Sequence, residues 1–247
     1  MTQTVIAHIS DLHIGGADHH AERASRVMRF LDGLDRIDTI VVSGDIADHG
    51  KAEEYEQARS ILDSRHPVLV LPGNHDVRGE FRVGLLDAAG TDEPINQAHE
   101  VAGVQFVQCD SVIPGEDAGR LDETTLRWLD GVLGAGPAGQ PAIVCLHHNP
   151  VPLHNETLDG MRLREGERLA EVLARHDRVV AVLCGHEHTA SSTMIAGRPL
   201  LVAPGVASTS RLPWENAGII DPAQPPGLAF HILDADRRVT THFRVLT

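Results

Sequence analysis

Five short apolar runs mark the chain, and each gives way to residues that can bind a metal. Residues 5–9 precede Ser10-Asp11-Leu12-His13, and 39–42 precede Ser43-Gly44-Asp45. Residues 68–71 precede Pro72-Gly73-Asn74-His75-Asp76, 142–146 precede His147-His148-Asn149-Pro150, and 179–184 precede Gly185-His186-Glu187-His188. Short apolar runs bounded by turn residues read as strands buried on both faces. Helical patterns cover 21–34, 52–62, 123–133 and 165–175. Strand alternating with helix specifies an α/β chain with parallel strands, and ligand sites in such sheets lie beyond the carboxyl ends of the strands. A further strand is expected over 103–109. Strand-like runs near 193–196, 199–203, 228–233 and 239–245 read as antiparallel. Residues 134–140 and 221–227 read as loops, and no internal repeat is visible, so residues 1–247 are expected to form a single domain.

The polar residues at the strand ends are oxygen and nitrogen donors. The chain carries 16 histidines against one tyrosine, two tryptophans and five phenylalanines, and histidine is the commonest metal ligand. At a strand end, residues i and i+2 can both turn toward one ion, a spacing met by Asp11/His13 and by His186/His188. Asp45 has two carboxylate oxygens and can bridge two metals, while Asn74 offers a neutral carbonyl oxygen. With no thiolate in the set, it suits Mn, Fe, Zn, Co or Ni over a structural zinc site, and it is too rich in histidine for calcium. Taken singly, Asp11 also reads as a helix cap, Asp45 as a turn residue and Asn74 as a left-handed turn residue. All five sets in this order, each after an apolar run, point to a metal centre.

Charge narrows the partners. With 21 Lys+Arg against 35 Asp+Glu, the net charge is −14, which repels polyanions, so no nucleic acid polymer is expected. No apolar run reaches the ~18–20 residues of a membrane span, and residues 1–4 carry no secretory pattern. Cys109, Cys145 and Cys184 are an odd, widely spaced trio, which fits reduced, buried thiols and a cytoplasmic location.

The ordered pattern Asp11-Leu12-His13, Gly44-Asp45, Gly73-Asn74-His75-Asp76, His147 and Gly185-His186-Glu187-His188 resembles the calcineurin-like metallophosphoesterases over nearly the whole chain. Ile113-Pro114-Gly115-Glu116, the segment 121–129 and His147-His148-Asn149-Pro150 are similar to bacterial class III cyclic-nucleotide phosphodiesterases, with Asn149 where proline is frequent. The resemblance implies a four-layer α/β/β/α sandwich of two mixed sheets. It implies one metal on Asp11, His13, Asp45 and His188 and a second on Asp45, Asn74, His147 and His186, the metals being divalent or mixed-valence Mn, Fe, Zn or Co. His147 is taken as the ligand and His148 as its neighbour. His75 would act on the substrate phosphate or leaving oxygen, with Asp76 orienting it. The implied reaction is phosphodiester hydrolysis by in-line attack of metal-bound hydroxide. 3′,5′-Cyclic nucleotides, above all cyclic AMP, lead as substrates. The alternatives are a broad phosphodiesterase or phosphomonoesterase acting on glycerophosphodiesters, and an inactive metal-binding scaffold.

Other residues carry weaker expectations. His49, His154 and Asn155 are candidates for the pocket wall. His19 and His20 should be solvated just before a helix, Glu187 should point away from the metals, and Cys145, Cys184 and Trp128 should pack in the core. Trp214 is a candidate for substrate or interface contact, and the C-terminal strands for pairing across a homodimer.

Overall fold

The computed structural model describes residues 3–215 and 218–247. The chain begins β1 (Thr4–Ile9), α1 (Asp18–Asp32), β2 (Thr39–Val42), α2 (Ala52–Leu62), β3 (Val68–Val70) and α3 (Arg78–Leu86). A second series follows: β4 (Gln97–Val101), β5 (Val104–Gln108), the short β6 (Gly119–Arg120), α4 (Glu123–Ala135), β7 (Ala142–Cys145), α5 (Glu156–Asp159), the short β8 (Leu163–Arg164), α6 (Gly166–Ala174) and β9 (Val179–Cys184). The last strands are β10 (Ser191–Ile195), β11 (Arg198–Val202), β12 (Thr209–Ser210), β13 (Ile220–Asp221), β14 (Gly227–Leu233) and β15 (Val239–Val245). One sheet has the order β15-β14-β1-β2-β3 and the other β10-β11-β9-β7-β5-β4. In the first, parallel β1-β2-β3 runs to one edge and antiparallel β14 and β15 make the other; in the second, a parallel centre (β5-β7-β9-β11) is flanked by antiparallel β4 and β10.

Period-two alternation sorts the strand residues between layers. Ala7, Ile9, Ile40 and Val42 pack under Val27, Met28 and Leu31 of α1 and Tyr55 and Ala58 of α2. Their neighbours Ile6 and Val41 meet Phe106, Ile143 and Leu183 of the other sheet. The outer face of that sheet, with Val107, Val144 and Val182, is covered by Leu126 and Leu129 of α4 and Leu169 and Leu173 of α6. The result is helix, sheet, sheet, helix, with the carboxyl ends of both parallel centres at one edge. The turn after β1 hydrogen-bonds to the turn after β2, with Asp11 N 3.1 Å from Gly44 O and His13 N 2.9 Å from Asp45 O. Gly185 N lies 3.0 Å from His147 O and joins the turns after β7 and β9.

Two elements escape the sequence pattern. Helix α3 contains Gly79 and Gly84, poor helix formers. A Cβ at Gly84 would come within 2.4 Å of the Tyr55 Cβ, so the close packing of α3 on α2 requires a glycine there. β4 is an edge strand of alternating half-buried and exposed residues, Gln-Ala-His-Glu-Val, without an apolar run. Helix α1 starts three residues before the expected position, which puts His19 and His20 inside its first turn. Cys109, Cys145 and Cys184 are buried, free thiols, and Trp128 packs against the core under α4 and α6. No helix of the described residues is long and apolar enough to cross a membrane.

A buried polar chain runs through the first sheet. His8 Nε2 is 2.8 Å from Ser43 Oγ, His8 Nδ1 3.0 Å from His231 Nε2, and His231 Nδ1 2.9 Å from Thr241 Oγ1. Both imidazoles are fully buried. Burial pushes the His231 pKa down to about 3 and that of His8 well below its ordinary value, helped by His231. Both rings are therefore neutral in the fold, while the unfolded chain binds protons below about pH 6.5. The His231 contribution is complete above pH 6.5 and is lost as pH falls toward 3, by about 2 kcal/mol at pH 5, and His8 acts in the same direction. The urea midpoint should fall from pH 7 to pH 5, and His231→Asn should flatten that slope. An unchanged slope in the variant would contradict this assignment.

Candidate active site

The strand-end turns aim the polar side chains by an unusual backbone. Asp11, His13, Asp45, His186 and His188 have φ of 57°, 46°, 50°, 70° and 53°, all left-handed. Each such non-glycine residue costs about 1–2 kcal/mol, which folded structures tolerate mainly at functional positions. Two glycines make room. A Cβ at Gly44 would lie 2.5 Å from His147 Nδ1, and one at Gly73 would lie 2.2 Å from Asp45 Oδ1.

The side chains converge around Asp45, which is 2% exposed. Its Oδ2 is 3.6 Å from His13 Nε2 and its Oδ1 is 3.4 Å from His147 Nε2. On the His13 side, His188 Nε2 lies 3.1 Å from His13 Nε2 and 3.6 Å from Asp11 Oδ1. On the His147 side, Asn74 Oδ1 is 3.1 Å from His147 Nε2, and the His186 ring lies 5.1 Å from the His147 ring. Asp11, His13 and His188 form one group of closely spaced donors, Asp11, Asp45 and His147 another, His147, His148 and His186 a third, and His13, Asp45 and His75 a fourth. His186 and His188 therefore fall into different groups. The expectation that their i, i+2 spacing turns both toward one ion is corrected, whereas Asp11 and His13 do face one place. Side-chain partners part them: His188 Nδ1 is held by Ser208 Oγ at 2.9 Å with Nε2 toward His13, whereas the His186 ring packs against those of His147 and His148.

Outer partners prepare the rings for cations. His147 Nδ1 donates to Ser43 O at 2.7 Å, which in the neutral ring leaves Nε2 as a bare lone pair. His13 Nδ1 donates to Asp48 Oδ1 at 2.8 Å with the same effect, and His188 Nδ1 meets Ser208 Oγ at 2.9 Å. His13 Nε2 and His188 Nε2 thus face one another, as do His147 Nε2 and the Asn74 oxygen. Asp11 Oδ2 and His186 Nε2 are buried with no hydrogen-bond partner among the described residues. Such orphaned, convergent acceptors are costly unless a cation joins them, and the donor set fits transition-metal dications. Without a cation, Asp45 and the rings around it compensate one another, and His147 Nε2 holds a proton that a metal would displace. Burial pushes the Asp45 carboxyl up, but His147 and His13 outweigh it and hold it well below the usual range. Burial lowers His147 while Asp45 raises it further, to about 9.

His148 is committed elsewhere. Its Nε2 donates to Asp117 O at 3.1 Å and its Nδ1 accepts from Ser111 Oγ at 2.8 Å, so neither nitrogen is left over. Gly119, whose Cβ would lie 2.3 Å from His148 Nδ1, lets β6 close over that ring.

His75 stands at the mouth, its side chain 39% exposed and its ring 4.6 Å from that of His13. Its Nδ1 donates to Asp48 O at 2.8 Å, so Nε2 faces the opening. The expected pairing with Asp76 is absent. The Asp76 carboxylate is buried and accepts from Ile46 N (3.1 Å), Ala47 N (3.0 Å), Gly73 N (2.9 Å) and Tyr55 Oη (3.0 Å). It staples the turn after β2 to the turn after β3, and Asp48 does the orienting. Burial and nearby Asp45 push the Asp76 pKa up to about 6, and the three backbone donors restrain the rise. Asp76→Ala would strand those donors and should cost about 3–5 kcal/mol of stability, read as a lower urea midpoint. Full stability with lost turnover would instead support a direct action on His75.

Sequence reasoning missed Asp48, Ser43 and Ser208. A carboxylate behind a metal-binding histidine is common, but no spacing rule singles out Asp48. His49 sits beside it, half exposed, with Nε2 3.4 Å from Asp48 Oδ2 and Nδ1 2.8 Å from Glu54 Oε1. Asn155 Nδ2 donates to Arg211 O at 3.4 Å, which ties the loop after β7 to the β12–β13 excursion, and His154 adopts φ 66° beside it. Trp214 is 66% exposed on that excursion. Glu187, expected to point away, is 1% exposed with Oε1 unpartnered. Burial, with Asp159 and Asp11 nearby, pushes its pKa up to about 8.

The calcineurin-like phosphoesterase profile matches residues 4–190. The glycerophosphodiester phosphodiesterase GpdQ of Enterobacter lignolyticus is 32% identical, over 92% of this chain and 86% of the relative. A probable cyclic nucleotide phosphodiesterase of Rhodococcus erythropolis is 32% identical over 86% and 74%. The 3′,5′-cyclic adenosine monophosphate phosphodiesterase CpdA of Escherichia coli K12 is 30% identical over 96% and 87%. Among solved structures, a dimetal phosphatase from Danio rerio superposes with a TM-score of 0.75 at 16% identity, covering 99% of both chains. With its four-layer sandwich and the strand-end donors around Asp45, the chain belongs to the calcineurin-like phosphoesterase family.

Proposed function

We propose that this hydrolase acts on small phosphodiesters, with 3′,5′-cyclic nucleotides in the lead, and that two metals are held on either side of Asp45. One would take Asp11, His13, Asp45 and His188, and the other Asp45, Asn74, His147 and His186. The family implies two divalent metals, and Mn, Fe, Zn and Co all suit these donors. The observation that carries the reading is the division of donors by the two Asp45 oxygens, at 3.6 Å from His13 and 3.4 Å from His147. Such a pair of cations, when bound, supplies charge compensation for the phosphate and an acidified water.

The chain's own residues do the rest. Asp48 O holds the His75 ring through Nδ1, so that Nε2 meets a phosphate at the mouth. In its protonated form Nε2–H donates to the leaving oxygen, within the reach a general acid needs. Ser43, Asp48 and Ser208 hold the rings of His147, His13 and His188 in place before substrate arrives.

The cyclic-nucleotide choice is supported by the Rhodococcus and Escherichia relatives, while GpdQ supports glycerophosphodiesters as the second reading. A homodimer, if formed, would use β15, the open edge of its sheet, and light scattering reads the mass. The test of substrate is kcat/KM on Mn-loaded protein for cyclic AMP, cyclic GMP, bis(p-nitrophenyl) phosphate, p-nitrophenyl phosphate and glycerophosphocholine. Preference for a cyclic nucleotide over the artificial diester is the expected result. Faster glycerophosphocholine turnover would hand the assignment to the second reading.

A further inference from the structure

A cavity of about 450 Å³ opens beside His75 and Asn74, the two residues that reach the mouth of the site from the turn after β3. Its walls are Val77, Val112, Pro114 and Gly115, with Asp92 also lining it. That volume is in the range of small-molecule sites. The cavity is also braced. Arg78 sends Nε to Asp110 Oδ2 at 2.7 Å, Nη2 to Asp110 Oδ1 at 3.2 Å and Val112 O at 2.8 Å, and Nη1 to Asp92 O at 3.2 Å. Asp110 in turn accepts from Ile95 N and Val112 N, both at 2.8 Å. One ion pair, with Arg78 12% and Asp110 0% exposed, thus pins the start of α3, the 92–95 loop and the turn after β5 into one wall.

The chemistry of this wall selects among ligands. Val77, Val112 and Pro114 present apolar surface, and the Arg78 nitrogens are spent on the wall itself, so no cation is offered to a second anionic group. The lining has no Phe, Tyr or Trp to cage a quaternary ammonium. The Asp92 carboxylate has no hydrogen-bond or ion-pair partner among the described residues and can accept an N–H. A flat, uncharged heterocycle with an exocyclic amine satisfies all of these features.

We propose that the cleft lined by Val77, Val112 and Pro114, braced by Arg78 and Asp110, is the subsite for the nucleobase of a nucleotide whose phosphate lies at Asn74 and His75. This rests on the phosphodiesterase reading for its substrate, yet its test needs no turnover. Calorimetry on Mn-loaded protein would compare adenosine 5′-monophosphate, ribose 5-phosphate and phosphocholine. The adenine ring should tighten binding about tenfold or more over ribose 5-phosphate, as burial of an apolar ring face requires. Val77→Trp and Pro114→Trp, both at exposed positions, should cut that advantage to about twofold. Equal affinities in the unsubstituted protein, an advantage untouched in both variants, or tighter binding of phosphocholine would overturn the subsite. A retained adenine advantage in a protein that hydrolyses no phosphodiester would support the subsite and sink the diesterase reading alone.

Discussion

Asp45→Asn should be the most damaging single change at the site. The substitution keeps the volume but removes the negative charge from the one residue whose two oxygens face both donor groups, at 3.6 Å from His13 and 3.4 Å from His147. Loss of an outer partner of a metal ligand typically costs 10–100-fold in affinity or activity. A bridging position should cost more, about a thousandfold in kcat/KM, with metal content falling below two per chain. His75 N also donates to Asp45 Oδ1 at 3.0 Å, so the turn after β3 should loosen as well. Elemental analysis beside steady-state kinetics reads both effects, and full activity with two metals would remove Asp45 from the centre of the account.

His75→Ala should have nearly as large an effect on turnover and none on metal content. The imidazole lies at the mouth with Nδ1 on Asp48 O, and although it comes close to His13 and Asp45 it belongs to neither of the two proposed ligand sets. Removal of a general acid or phosphate partner costs about 10²–10⁴-fold in rate. Asn74→Ala, one residue earlier, should behave oppositely and lower metal content at the side shared with His147. Equal metal loss in the two variants would contradict the division of labour between adjacent residues. Because the Asp48 carbonyl rather than Asp76 holds the His75 ring, Asp48→Ala keeps that contact and removes only the carboxylate behind His13, so it should weaken metal binding about 10–100-fold without the loss of stability expected of Asp76→Ala.

The strands were legible because their burial on both faces writes continuous apolar runs, as in 39–42 and 179–184. The convergence of their polar ends followed from parallel topology. Elements defined by partners left no such trace. β4 is paired on one side only, and α3 keeps Gly84 for contact with Tyr55 rather than for helicity. At the site, adjacency in sequence misled twice. Asp76 follows His75, but its carboxylate is drawn inward by Ile46, Ala47, Gly73 and Tyr55. His186 and His188 share an i, i+2 spacing, yet Ser208 holds the His188 ring toward His13 while the His186 ring packs against His147 and His148. His147 and His148 are chemically identical in sequence. Hydrogen bonds to Ser111 and Asp117, from segments more than thirty residues away, use up His148 and leave Nε2 of His147 to the site.

The central claim is that two cations share Asp45. Crystals of the Mn-loaded protein, with anomalous difference maps at the metal edge, test it most directly. The account predicts two peaks flanking Asp45, one against Asp11, His13 and His188 and the other against Asn74, His147 and His186. A single peak, or one drawn onto His148, would contradict it.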